Sequence, residues 1–139
     1  MAREETLAAL NEALQDEYQA LAIYRKVIEK FGPVRPFVNI VEAEARHAQA
    51  LFRQFERLGI TPPRNEWDDK VEVPASLSEA CRQAVAAEIE NAAMYDRLLG
   101  RVEDPAVRNV LLNLQDASQN RHLPAFQRYL DREESINSR

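Results

Sequence analysis

The chain contains only three glycines, and each one stands where an apolar helical pattern stops. They are Gly32, Gly59 and Gly100. Glycine is costly inside a helix but favoured just after the last turn, where the backbone takes a left-handed conformation. The three positions therefore predict four helices in series, with each glycine in a left-handed conformation at a helix end.

Signals for the start of a helix follow two of these breaks. Asp104 can cap a helix that has Pro105 in its first turn, and Ser76 with Glu79 forms a capping box. The segment 133–139 has no apolar stripe and is expected to be a flexible tail. The predicted helices span residues 3–31, 36–58, 77–99 and 105–132.

The links between these helices differ in length. Links 32–35 and 100–104 are short, so each should join two helices into an antiparallel hairpin. The crossover 59–76 is much longer, contains three prolines and has no helical period, so it can run along the bundle, with Trp67 as its anchor. The predicted fold is all-α: one domain over residues 1–132, with the connectivity of a ferritin-like four-helix bundle, in which a long crossover joins two antiparallel hairpins.

Every predicted helix carries an ionisable side chain inside its apolar stripe. The first stripe includes Glu17, and the second includes Glu44 and His47, one turn apart. The third includes Glu88 and the fourth includes His122. These positions lie near the midpoints of their helices, so the five side chains should meet in one layer of the bundle.

A single carboxylate in such a stripe is most often a misassigned register or a side chain that reaches solvent. Three carboxylates and two imidazoles in one layer need another explanation, because a buried carboxylate costs several kcal/mol unless it is paired. No lysine or arginine lies on the four stripes. The expected partner is therefore a metal ion. Iron or manganese suits carboxylate-rich sites, whereas structural zinc prefers thiolates or more histidines, so zinc is expected only as a substitute.

The two halves of the chain resemble each other weakly. The segment EYQALAIY begins at Glu17 and matches EIENAAMY, which begins at Glu88. Tyr24 and Tyr95 end these segments, and they are interpreted as partners of the ligands, as redox-active residues or as buried core residues. A duplicated hairpin has the symmetry that a pair of metal ions requires.

These residues resemble the ferritin-like di-iron carboxylate superfamily, which includes rubrerythrins and bacterioferritins. In that superfamily helices one and three each give a Glu, and helices two and four each give an ExxH pair. The segments DEYQALAIYRKVIEKFGPVRPFVNIVEAEARHAQAL, AEIENAAMYDRLL and NLQDASQNRHLPAF also resemble a small prokaryotic ferritin-like family described as a domain of unknown function. The resemblance extends from Ala9 to Tyr129. It implies two iron ions or manganese, with the ligands Glu17, Glu44, His47, Glu88 and His122.

The fourth helix departs from this pattern. Gln119 stands three residues before His122, where the superfamily has Glu. Comparison of NIVEAEARH with NLQDASQNRH indicates one extra residue, as a π-helical turn would produce, and this would bring Asp116 or Ser118 nearer the site. Without one bridging carboxylate, an asymmetric or mononuclear site is the alternative to a dinuclear one.

The leading functional hypothesis is a dinuclear redox protein of ferroxidase-like or peroxidase-like activity that uses O₂ or peroxide. The chain has no CxxC pair, so an electron donor is expected to be a separate molecule. One alternative is a mononuclear metal-binding or storage module without turnover. The other is a metal-free helical interaction scaffold whose inner polar residues form a hydrogen-bonded network.

Composition excludes some partners. The formal charge is −5 and the basic residues are interleaved with acids, which argues against a nucleic-acid surface. A single cysteine and the lack of a long apolar run argue against disulfides, targeting segments and membrane spans. The expected location is the cytoplasm, and a homodimer is compatible with a bundle of this type.

Overall fold

The computed structural model describes the backbone of residues 2–137 and the side chains of residues 2–133. Within this part there is no strand, and no helix is both long enough and apolar enough to cross a membrane. The predicted all-α class is confirmed. A five-residue π-helical segment, Ser118–His122, joins the last two helices. The helices are α1 (Ala2–Phe31), α2 (Phe37–Arg57), α3 (Leu77–Leu99), α4 (Pro105–Ala117) and α5 (Leu123–Asn137).

Most of the predicted helix ends are present. Ser76 and Asp104 each accept a hydrogen bond from the third backbone N–H of the helix that follows. Gly32 and Gly59 have φ angles of +91° and +77°, as predicted. The prediction for Gly100 is wrong, because its φ is −70° and the backbone there remains in the right-handed helical region.

The predicted end of the last helix, at residue 132, is also wrong. The α5 backbone continues to Asn137, because no glycine or proline follows Pro124 to interrupt it. The predicted flexible tail 133–139 is therefore helical as far as Asn137, and residues 138 and 139 lie outside the described part.

Polar contacts give the directions of consecutive helices. Arg3, near the start of α1, donates a hydrogen bond of 2.7 Å to the carbonyl of Leu58, just after the end of α2. Arg108 of α4 donates to the carbonyl of Leu99, the last residue of α3. In both pairs the start of one helix lies beside the end of the other, so α1 runs antiparallel to α2, and α3 runs antiparallel to α4.

The first and third helices also run antiparallel. Glu12 of α1 contacts Arg97 near the end of α3, at 2.5 Å, whereas Tyr24 lies beside Glu88 in the middle of α3. A simple up-and-down bundle would make α1 and α3 parallel. The crossover between α2 and α3 therefore reverses the second pair of helices relative to that simple arrangement.

The crossover is attached to α1. The Tyr18 hydroxyl donates to the carbonyl of Pro63 at 2.7 Å, and Trp67 Nε1 donates to Gln15 Oε1 at 2.8 Å. The Trp67 ring packs on the apolar core. The prediction that Trp67 anchors the crossover is confirmed.

Two apolar clusters divide the core along the length of the bundle. One cluster contains Leu14, Leu51 and Leu98. The other contains Phe37 and Phe126. On α2 and α3 the buried glutamates lie between the residues that join one cluster and those that join the other, and on α1 Glu17 lies at the edge of the first cluster, one residue before Tyr18. The bundle therefore contains a polar layer, which includes Glu17, Glu44 and Glu88, between two apolar clusters.

Replacing Trp67 by alanine should lower the free energy of unfolding by about 2 kcal/mol, because a partly buried ring and its hydrogen bond are lost. Urea unfolding followed by far-ultraviolet circular dichroism measures this difference. Asp69→Ala, an exposed change on the same crossover, is the matched control and should have no effect. Equal stabilities for the two variants would contradict the anchoring role.

Candidate metal centre

The polar layer consists of ionisable side chains from every side of the bundle. Glu17 on α1, Glu44 on α2, Glu88 on α3 and His122 at the end of the π segment are exposed by only 1%, 3%, 3% and 4%. His47 lies one turn after Glu44, and its side chain is 13% exposed. The predicted inward orientation of all five residues is confirmed.

The five side chains form two groups of three that share Glu44. Glu17, Glu44 and His47 form one group, and Glu44, Glu88 and His122 form the other, with the potential ligand atoms of each group within 4.8 Å of one another. His122 Nδ1 lies 2.9 Å from Glu44 Oε1 and 3.4 Å from Glu88 Oε1. His47 Nδ1 lies 3.6 Å from Glu17 Oε2 and 3.9 Å from Glu44 Oε1. Glu44 therefore stands where a bridging ligand would stand.

Three of these converging atoms have no hydrogen-bond partner within the described part of the chain. They are Glu17 Oε2, His47 Nδ1 and His122 Nδ1. Buried polar atoms without partners are uncommon and destabilising. A cation among them would give each atom a partner, and three carboxylates with two imidazoles are a donor set that fits iron or manganese.

The charge of the layer requires compensation. No lysine or arginine is buried among the described residues. Burial, followed by the adjacent Glu17 carboxylate, raises the pKa of Glu44 well above its ordinary value. Burial opposes ionisation of Glu17 as well, but the neighbouring Glu44 and His47 outweigh it and lower the pKa of Glu17 to about 2. The chain by itself therefore favours a protonated Glu44 beside an ionised Glu17.

A buried tyrosine donates to each of the two outer carboxylates. The Tyr95 hydroxyl donates to Glu17 Oε1 at 2.7 Å, and the Tyr24 hydroxyl donates to Glu88 Oε1 at 3.2 Å. Burial, followed by the nearby glutamates, raises the pKa of both phenols well above the ordinary value, so they stay protonated and act as donors. Of the interpretations left open for these tyrosines, burial in the core and contact with a candidate ligand both hold for each residue.

The extra residue inferred before His122 is present as the π-helical segment. Ser118 is buried and donates to Asn91 Oδ1, but it belongs to neither group of candidate ligands. Gln119 and Asp116 are exposed. The expectation that Asp116 turns towards the site is wrong, and Gln119 does not turn inward either, because the π segment turns only Ser118 and His122 towards the bundle interior. Of the two residues expected nearer the site, Ser118 is the one that turns inward.

A second polar cluster beside the candidate ligands was not predicted. Asn91 donates to Asp16 and accepts from Ser118, which links α1, α3 and the π segment. Burial, followed by the Glu17 carboxylate, raises the pKa of Asp16 to about 7. Asn91 could have been found, because it lies three residues after Glu88 on the same helix face. The sequence pattern did not indicate Asp16, because adjacent helical residues point about 100° apart and Asp16 therefore falls outside the stripe that contains Glu17.

A cavity of about 130 Å³ opens between α1 and α3. Its lining includes the buried side chains of Tyr24, Glu44 and Glu88 and the exposed side chain of Glu90, so it connects the polar layer with the surface. Pockets for drug-sized molecules usually have about 300–1,000 Å³. The cavity therefore admits an ion, water or a diatomic molecule, but no larger organic substrate.

No protein-family model and no curated protein matches the chain. The solved structures with a similar fold include the hypothetical protein MJ0754 from Methanococcus jannaschii, with a TM-score of 0.83 and 21% identity over 96% of this chain and 83% of that one. They also include the conserved hypothetical protein rv2844 from Mycobacterium tuberculosis, with a TM-score of 0.79 and 18% identity over 94% of both chains. At these identities the likeness shows a shared helical fold alone.

The free energy of unfolding of the metal-free protein should fall as the pH rises from 5 to 7. The raised pKa of Glu44 means that the folded chain keeps a proton that the unfolded chain loses above the ordinary pKa of 4.5. This group contributes a slope of at most about 1.4 kcal/mol per pH unit. Urea unfolding at pH 5, 6 and 7 with a chelator present measures the slope.

Glu44→Gln should reduce that slope, because an amide has no proton to lose, while Asp16, whose pKa is raised to about 7, keeps its own contribution. Glu42→Gln, an exposed change on the same helix, is the matched control and should leave the slope unchanged. The lowered pKa of Glu17 affects the free energy of unfolding only below pH 4.5, where stability falls as that carboxylate is protonated. Parallel pH curves for the wild type and Glu44→Gln would show that Glu44 is not held protonated.

Proposed function

We propose that this chain is a ferritin-like protein that holds two iron or manganese ions in the polar layer and uses them in redox chemistry with O₂ or peroxide. The observation that carries the proposal is the pair of residue groups that share Glu44, with three buried atoms that lack partners. The antiparallel directions of α1 and α3, together with the long crossover, support the ferritin-like arrangement.

The residues have distinct tasks in this proposal. Glu17 and His47 would hold one ion, Glu88 and His122 would hold the other, and Glu44 would bind both. The bound ions would supply one-electron redox chemistry, which carboxylates and imidazoles do not provide. Tyr95 fixes Oε1 of Glu17 and leaves Oε2 directed towards His47.

The cavity between α1 and α3 supports the proposal that the substrate is small. Its volume of about 130 Å³ suits Fe²⁺, O₂ or hydrogen peroxide. Asp16 and Glu90 are among its lining residues, and their carboxylates favour a cation. In the ferroxidase form of the proposal Fe²⁺ gives the electrons to O₂, and in the peroxidase form a separate reductant gives them to peroxide.

Glu44→Ala should slow the oxidation of added Fe²⁺ by about tenfold or more, because the residue common to both groups is lost. The rate is measured in air by the rise of ferric absorbance and by oxygen consumption. Glu42→Ala is the matched control, since it removes an exposed carboxylate two residues away. This control should oxidise Fe²⁺ as the wild type does.

An Fe²⁺ oxidation rate in Glu44→Ala equal to that of the wild type would overturn the ferroxidase form of the proposal. The peroxidase form is tested with the same two variants after they are loaded with Mn²⁺ or Fe²⁺. Peroxide consumption in the presence of a small-molecule reductant is then measured. A rate independent of Glu44 would overturn this form as well.

A second candidate function is metal binding or storage at one position without turnover. The exposed Gln119 favours it, because the group containing His122 lacks the carboxylate that a second ExxH pair would supply. The third hypothesis, a metal-free scaffold with a satisfied hydrogen-bonded network, is disfavoured by the unpartnered atoms of the layer.

Titration with Mn²⁺ under argon, followed by elemental analysis of the washed protein, distinguishes one ion from two. We expect two ions per chain in the wild type and one in His122→Ala, because the change removes a donor from only one group. Asn120→Ala, an exposed change in the same π segment, should keep both ions. Saturation of the wild type at a single ion would favour the mononuclear storage function.

A further inference from the structure

A second cleft lies apart from the polar layer, where the link between α1 and α2 meets the start of α3 and the middle of α5. Its volume is about 500 Å³, which is within the usual range of ligand pockets, about 300–1,000 Å³. Arg35, Arg128 and Arg132 contribute to its lining. We call it the arginine cleft.

The arginine cleft is positive on a chain whose formal charge is −5. None of its lining residues is acidic. Within the described side chains its three arginines make no ion pair, although other arginines of the chain do pair with acids: Arg57, Arg82 and Arg97. Three like charges therefore share one cleft, and none of them is paired with an acid among the side chains of residues 2–133.

Other groups of the cleft also favour an anion. Asn39 and Tyr129 add side-chain donors. The first turn of α2, which begins after Pro36, has neither a side-chain cap nor an acidic residue, so the positive end of its dipole adds to the field. Glu133 opposes these charges at one edge of the cleft, where, after burial, it contributes to the raised pKa of Tyr129. This carboxylate alone does not balance three guanidinium groups.

The cleft also has an apolar wall. Val34, Leu77 and Ala125 line it beside the arginines. A simple inorganic anion would leave this wall in water. A ligand with a charged end and an apolar body would contact both parts of the cleft.

We propose that the arginine cleft binds an organic phosphate monoester, with the phosphate on the arginines and an apolar group on the wall. Guanidinium groups match phosphate oxygens in bidentate pairs, and a dianion suits three such groups better than a monoanion does. This inference does not depend on the proposed metal function, because no candidate metal ligand lines the cleft.

Calorimetric titration of the full chain with phenyl phosphate tests the proposal. We expect saturable binding at one site per chain. Inorganic phosphate should bind about tenfold more weakly, because it buries no ring, and benzyl alcohol should not bind, because it carries no charge. Metal-free and metal-loaded protein should give the same result.

Two triple variants remove the same number of charges. The variant of the cleft is Arg35→Gln, Arg128→Gln and Arg132→Gln. The matched control is Arg53→Gln, Arg64→Gln and Arg101→Gln. All six side chains are exposed, so both variants should fold. The affinity for phenyl phosphate should fall about tenfold or more in the cleft variant and stay unchanged in the control.

Three results would overturn the proposal. The first is the absence of saturable binding by the wild type. The second is an equal affinity for phenyl phosphate in the cleft variant and the control, which would mean that the arginines do not hold the phosphate. The third is equal affinity for phenyl phosphate and inorganic phosphate, which would mean that the apolar wall does not contribute.

Discussion

The burial of three carboxylates, with no lysine or arginine buried among residues 2–133, is the constraint on which the rest of this structure depends. A folded domain is stable by only about 5–15 kcal/mol, and one uncompensated buried charge can cost several of these. The chain offsets part of the cost with a protonated Glu44, two imidazoles and two tyrosine donors. These groups leave three atoms unpartnered, so the compensation within the chain is incomplete.

The two apolar clusters strengthen every interaction in the layer between them. They exclude water from above and below, and electrostatic attraction is stronger where the effective dielectric constant is low. Candidate ligands from α1 and α3 meet in this layer from two helices that run antiparallel.

The periodic patterns of the sequence predicted the helices, their order and the inward direction of the five ionisable residues, because burial imposes a 3.6-residue period that can be read directly. The patterns could not predict where a helix ends without a breaker, so α5 was expected to stop too early. They indicated the π segment from one extra residue and gave Ser118 or Asp116 as the residue brought inward, but not that Ser118 would turn inward while Asp116 stays outside. The contact between Asn91 and Asp16 depends on the packing of α1 on α3, which no local pattern reports.

The attachment of the crossover also gives the protein an intrinsic fluorescence probe of that segment. Trp67 is the only tryptophan of the chain, and it belongs to the crossover and not to a helix. Its indole N–H is bound to Gln15 and its ring lies on the core, so detachment of the crossover would expose the ring to water and shift its fluorescence to longer wavelengths. Emission from this one residue therefore follows the crossover, while circular dichroism follows the helices. A difference between the two signals during unfolding would reveal a bundle that persists after the crossover has detached.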